Sequence, residues 1–282
     1  MSKWILGARL RTLPAAIAPV VVASALAGSD FNWFRATLAL MVGVWLQIGV
    51  NFANDYSDGI KGTDDDRVGP IRLVASGLAS ARSVRRAAYI SFFFASIAGL
   101  WLSLLTSLLL IPIGVIAITA AWGYTGGKNP YGYRGLGEVS VFIFFGLVAT
   151  VGSFYVQTEN VTLMSFIVAI PMGAISCAIL TVNNIRDLDK DQVAGKRTVA
   201  VRLGDERARQ TYVSLLILAH IAAIATFIPA TLLTLLATPL TFSLSKAVLS
   251  KASGASLIPV LGKTGKLQLL FAALFATALA IQ

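Results

Sequence analysis

The chain has 282 residues, of which 56% are hydrophobic and only 13% charged, with a mean hydropathy of +0.77. Soluble globular domains carry about 25% charged residues, so this composition excludes an ordinary water-soluble globule. The single cysteine, Cys177, excludes a disulfide framework or a thiolate metal cluster, while the excess of 23 Lys and Arg over 13 Asp and Glu invites comparison with nucleic-acid binders.

Apolar runs of roughly 20 residues, the length a helix needs to cross a bilayer, recur from end to end. They are continuous rather than alternating, which predicts helices and not a closed barrel. The first run, 13–28, follows Lys3, Arg9 and Arg11 and reads as a membrane helix rather than a removable signal. Next come 34–53, then 87–105 and 107–123, a long apolar stretch cut near Pro112. Runs 138–156 and 162–183 follow; 210–227 and 229–247 are divided near Pro229, and 267–281 is the last. The expected fold class is all-α: a polytopic membrane protein of about nine transmembrane helices forming one domain, 1–282. Cys177 and His220 fall inside apolar runs and read as packed side chains.

The cations test this count. With nine spans, the N-terminus and the loops 54–86, 124–137, 184–209 and 248–266, with the adjacent helix ends, share one side and hold 22 of the 23 Lys and Arg. Only Arg35 falls on the other side. The positive-inside rule then places the N-terminus and the large loops in the cytoplasm, as in a multi-pass protein of the cell (inner) membrane. The basic excess is thus mainly a topology signal, and no nucleic-acid partner is expected.

Ten of the 13 carboxylates fall in two of those loops, each beginning at the cytoplasmic end of an apolar run. The first cluster starts Asn51-Phe-Ala-Asn54-Asp55-Tyr-Ser-Asp58 and continues to Asp64, Asp65, Asp66 and Arg67; the second reads Asn183-Asn184-Ile-Arg186-Asp187-Leu-Asp189-Lys190-Asp191. Asn54 and Asp58 are four apart, as are Asp187 and Asp191, and such pairs share a helix face. Like charges on one face repel unless a cation lies between them, and an oxygen-only set suits Mg²⁺. Asn51, Asn54 and Asp58 also have the spacing of Asn184, Asp187 and Asp191, which hints at two related halves facing one cavity. Most charge runs are merely solvated loops, but two matched pairs beside Lys and Arg favour a diphosphate held by metals and cations. Its remaining part would be apolar and lie in the membrane.

At these residues the sequence resembles the UbiA superfamily of intramembrane aromatic prenyltransferases. The first superfamily motif, NDxxDxxxD, is met by Asn54-Asp55-Tyr-Ser-Asp58, with Gly62 at the fourth acidic position and Asp64 two residues later; the second, DxxxD, by Asp187 and Asp191. The string from Asn54 through Gly62 to Asp64 is similar to the branch that prenylates 1,4-dihydroxy-2-naphthoate in menaquinone synthesis. Arg9–Pro14, Arg67–Arg72, Tyr124–Glu138 and Asn183–Thr198 resemble that branch too, so motifs cover roughly residues 8 to 210. The resemblance implies a helical bundle around a central cavity. Its substrates would be a polyprenyl diphosphate and 1,4-dihydroxy-2-naphthoate, giving demethylmenaquinone, diphosphate and CO₂. It implies Mg²⁺ on Asn54, Asp55, Asp58 and Asp64, and on Asn184, Asp187 and Asp191, with Asp55, Asp58, Asp187 and Asp191 as the catalytic acids. Arg67, Lys128, Lys196 and Arg197 would serve the diphosphate, Tyr124 the allylic cation or the diphosphate, and Arg11 or Arg134 the naphthoate carboxylate. No obligate protein partner is implied.

Other readings stay open on the residues alone. A transporter would place polar groups near the membrane midplane, whereas the cores of these runs are almost free of charge and the acids sit at one mouth. Another acceptor, such as 4-hydroxybenzoate, homogentisate or a chlorophyllide, would need the same acidic pairs.

Overall fold

Several of the apolar runs have a side-chain cap or a proline to start them as helices. A computed structural model describes residues 2–62, 69 and 71–281, and among these there are helices and no strand. Helix α1 (Lys3–Ala8) leads through a turn into α2 (Pro14–Leu26), with a bend of 49°. Pro14 starts α2, where its missing N–H costs nothing. The Asn32 side chain accepts from the Phe34 and Arg35 N–H groups and so opens α3 (Trp33–Ile60). Ser80 caps α4 (Ala81–Leu105) in the same way. Then come α5 (Leu110–Gly123), α6 (Gly137–Thr158) and α7 (Leu163–Arg186), the last capped by Thr162. Two short helices, α8 (Leu188–Val193) and α9 (Val199–Leu203), precede α10 (Asp205–Ile224), α11 (Pro229–Leu249) and α12 (Gly254–Ala280).

Six helices are long and apolar enough to cross a bilayer, namely α3, α4, α6, α7, α11 and α12, and the bent α1–α2 pair would make seven. The chain is a multi-pass helical membrane protein, but the expected nine crossings are not established. Helix α5 has 14 residues, or about 21 Å of rise against a core of about 30 Å. Helix α10 opens with Asp205, Glu206, Arg207 and Arg209, which dilute its apolar character.

The main core joins Met172 and Ile175 of α7, Tyr212 and Leu216 of α10, and Phe271 and Phe275 of α12. A second cluster joins Phe52 and Ala53 of α3, Val84 and Phe92 of α4, and Leu73 from the connection between them. Helices α6 and α7 meet at glycines: a Cβ on Gly146 would lie 2.8 Å from the Gly173 Cα, so the backbones touch as small residues allow in membranes. Gly146 lies within a π-helical stretch, Phe142–Val148. At the far end of the bundle Arg35 ties three helices together. It donates to the carbonyls of Leu105 (3.3 Å), Val156 (3.1 Å) and Gln157 (3.3 Å), and pairs with Glu159 at 2.9 Å.

Candidate active site

The helices enclose a cavity of about 1670 Å³ that is polar at one end. Its polar end is built by the last turns of α3 and α7, where both acidic motifs leave their helices. Asn51, Asn54 and Asp58 from α3 line it together with Asn184, Asp187 and Asp191. The six positions related by the internal spacing therefore converge on one space. Elsewhere the wall is mostly apolar, with Leu46 of α3, Leu102 of α4, Ile113 of α5 and Phe144, Phe145 and Val148 of α6.

Asp58 is buried and receives the Tyr133 hydroxyl at 2.6 Å on Oδ1. Arg72 Nη2 lies 3.4 Å from Oδ2 and Lys196 Nζ 3.8 Å from Oδ1. Asn54 Oδ1 accepts from the Thr125 hydroxyl at 2.8 Å, and an amide oxygen keeps a second lone pair. On α7, Arg186 holds its neighbour Asp187 through two bonds, Nε to Oδ1 at 2.8 Å and Nη2 to Oδ2 at 2.5 Å. The helix is interrupted at Asp187, yet the Asp191 N–H still donates to the Asp187 carbonyl at 2.8 Å. The two carboxylates thus stay one turn apart, as their spacing predicts. Asn184 reaches the cavity with its amide held by Glu138 Oε1 at 3.0 Å.

Two loops carry cations to this end. Gly195, at φ 72, reverses the chain after α8 in a conformation that disfavours other residues. The Arg197 N–H then donates to the Tyr133 carbonyl at 2.8 Å, which seats Lys196 over the Tyr133 ring, 4.6 Å from its centroid. Lys61 approaches the same ring at 5.1 Å and donates to the Thr125 carbonyl at 2.6 Å. Both distances are within cation–π range. Tyr124 also lines the cavity; burial, followed by the nearby Glu138 charge, pushes its hydroxyl well above the usual phenol range. It therefore stays a neutral donor.

Several residues stand elsewhere than expected. Asp55 is not on the cavity wall: fully buried, it accepts the backbone N–H groups of Leu73 at 2.8 Å and Val74 at 3.0 Å. Each of its two oxygens therefore already accepts one backbone amide. Lys128, Arg134 and Arg197 are exposed and lie off the wall; Arg134 and Arg197 engage their neighbours here through backbone groups. Arg11, Tyr124 and Lys196 do line the cavity. Asp64 and Arg67 lie outside the described residues. Sequence reasoning missed Arg72, Tyr133, Lys61 and Arg186 as site residues. Arg72 and Tyr133 sit inside the resembling segments, and Lys61 and Arg186 inside the acidic clusters themselves.

Comparison with known proteins places the chain in a family. Residues 16–258 match the UbiA prenyltransferase family. The 1,4-dihydroxy-2-naphthoate octaprenyltransferase of Mycobacterium tuberculosis is 49% identical over 99% of this chain and 97% of its own length. That of Mycobacterium leprae is 45% identical, again over 99% of this chain and 97% of its own length. A UbiA homologue from Archaeoglobus fulgidus, solved with GPP and Mg²⁺, superposes over all of both chains with a TM-score of 0.70 at 14% identity, which shows a shared fold. The chain belongs to the UbiA prenyltransferase family.

Proposed function

We propose that this protein transfers a polyprenyl group from its diphosphate to 1,4-dihydroxy-2-naphthoate, releasing diphosphate and CO₂ and forming demethylmenaquinone in its reduced form. The observation that carries the reading is the convergence of two acid pairs and several cations at one end of an otherwise apolar cavity. Its support in sequence is the 49% and 45% identity to the two mycobacterial 1,4-dihydroxy-2-naphthoate octaprenyltransferases.

The donor set fits Mg²⁺. Asn54, Asp58, Asn184, Asp187 and Asp191 offer hard oxygens only. Among the described residues no three acids, histidines or cysteines gather closely enough to hold a metal alone. Mg²⁺ commonly takes its remaining ligands from substrate phosphate oxygens and water. Bound there, Mg²⁺ supplies neutralisation of the charge that develops on the departing diphosphate.

The chain's own groups do the rest. Lys196 and Arg72, both beside Asp58, donate to leaving-group oxygens. Arg186 orients Asp187 through its two bonds. The allylic C–O bond breaks with its electron pair going to diphosphate, and the Tyr124 ring face stabilises the cation left behind. Arg11, exposed and on the cavity wall, holds the naphthoate carboxylate. The ring carbon bearing that carboxylate attacks the cation. It has no proton to lose, so expulsion of CO₂ returns the electron pair and restores aromaticity. The apolar wall receives the prenyl chain. The enzyme sits in the cell membrane with its polar end toward the cytoplasm.

Naphthoate carrying carbon-14 in its carboxylate tests the reading. Purified protein with Mg²⁺ and a polyprenyl diphosphate should release label as CO₂ in equal amount to diphosphate. Label retained in the lipid-soluble product would overturn the naphthoate assignment and point to an acceptor that keeps its carboxylate.

A further inference from the structure

The first acid of the first motif has a task unlike its neighbours. Asp55 is fully buried on α3, with Oδ2 accepting from the Leu73 N–H and Oδ1 from the Val74 N–H. A carboxylate that receives two backbone donors is strongly bound to that segment of chain. Leu73 is itself buried against Phe52, Ala53 and Val84, so the segment is pinned by packing as well. One residue before it, Arg72 is buried, lines the cavity and lies 3.4 Å from Asp58.

The internal spacing separates Asp55 from the other acids independently. Asn51, Asn54 and Asp58 correspond to Asn184, Asp187 and Asp191, and all six line the cavity. At the same register Asp55 corresponds to Leu188, which has no metal-binding atom. The repeated constellation therefore omits Asp55 in sequence, and the cavity wall omits it in space.

We propose that Asp55 is a positioning residue that anchors the Arg72–Val74 segment to α3, so that Arg72 stands beside Asp58 and meets the substrate diphosphate. Asp55 then sets how the donor is bound without holding the metal. The diphosphate part rests on the function proposed above; the anchor does not.

Hydrogen exchange on the full-length protein in lipid nanodiscs reads the anchor directly. The Leu73 and Val74 amides should exchange slowly and stay slow when Mn²⁺ and inorganic diphosphate are added. Loss of their protection on adding Mn²⁺ would mean that Asp55 turns to the metal, and would overturn the proposal with no mutation at all. In Asp55→Asn one acceptor oxygen becomes an NH₂ that opposes an N–H, so both amides should exchange faster. Mn²⁺ binding in the presence of inorganic diphosphate should persist in this variant and fail in Asp58→Asn. The KM for polyprenyl diphosphate should rise on the order of tenfold, the weight of about one charge-assisted hydrogen bond, while the KM for the acceptor stays put. In an Arg72→Ala background the same substitution should add little to the donor KM. Unchanged exchange in Asp55→Asn, loss of Mn²⁺ binding equal to that of Asp58→Asn, or a fully additive rise in donor KM would each refute the assignment. If no aromatic acceptor is prenylated at all, the proposed function falls, while the exchange and Mn²⁺ measurements still decide the anchor.

Discussion

Arg35→Ala should destabilise the protein without touching its chemistry. The guanidinium donates to three carbonyls at the C-terminal ends of α4 and α6 and to Glu159, with its side chain 22% exposed. Carbonyls at helix ends lack intrahelical partners, and a cation there also meets the negative end of the helix dipole. A hydrogen bond from a charged donor is worth about 1.5–3 kcal/mol, but water at this end of the bundle re-solvates part of what is lost. A net cost of about 2–3 kcal/mol follows, which for a chain of this size lowers Tm by about 3–5 °C. Glu159 is half exposed, so Glu159→Ala should cost under about 1 kcal/mol. Arg35→Lys should recover only part of the loss, because an ammonium lacks the planar fork that reaches several carbonyls at once. Thermal unfolding in one detergent, with turnover measured per folded molecule, checks all three. Arg35 lies about 35 Å along α3 from Asp58, so kcat and both KM values should stay at the unmutated level. Equal Tm values for Arg35→Ala and Glu159→Ala would refute the capping argument. A fall in kcat at unchanged Tm would show that this end of the bundle is coupled to the site.

Asp58→Asn and Asp191→Asn should each abolish turnover while the protein still inserts and purifies, since a neutral amide is a much poorer Mg²⁺ ligand; a chelator should reproduce the loss in the unmutated protein. Near-normal activity of either variant at low Mg²⁺ would contradict the metal assignment. Cysteines introduced at Asp64, Lys196 and Lys251 should react only with reagent supplied from the cytoplasm, and one at Glu159 only from outside. Labelling of the Lys196 and Glu159 positions from the same side would refute the orientation drawn from the cations.

Much of the site could be read from spacing, and the part that could not shares a physical cause. Asn54 with Asp58, and Asp187 with Asp191, stand one helical turn apart, so local geometry alone puts each pair on one face. Spacing does not reveal the partners of Asp55, because the Leu73 and Val74 amides lie beyond the helix in a connection whose path no periodicity encodes. Lys128, Arg134 and Arg197 have the right charge beside the right motifs, but sequence gives the charge and not the direction, and all three face outward. Tyr133 and Lys196 meet only because the Arg197 amide joins two loops distant in the chain. Hydropathy found every apolar run, yet the number of crossings is not established by it, because α5 has only 14 residues and α10 opens with charges.

The apolar stretch of the cavity wall has a thermodynamic consequence for the donor. Leu102, Ile113 and Phe144 offer the prenyl tail surroundings about as apolar as the lipid it leaves. Transfer from bilayer to cavity then gains little per isoprene unit, unlike transfer from water at about 25 cal/mol per Å². Donors of different length dissolved in the same bilayer should therefore compete on nearly equal terms. A steep preference for longer donors, seen with substrate added from water, would report their escape from solvent rather than recognition by the protein. Tail length becomes a property of supply, and discrimination falls to the charged head.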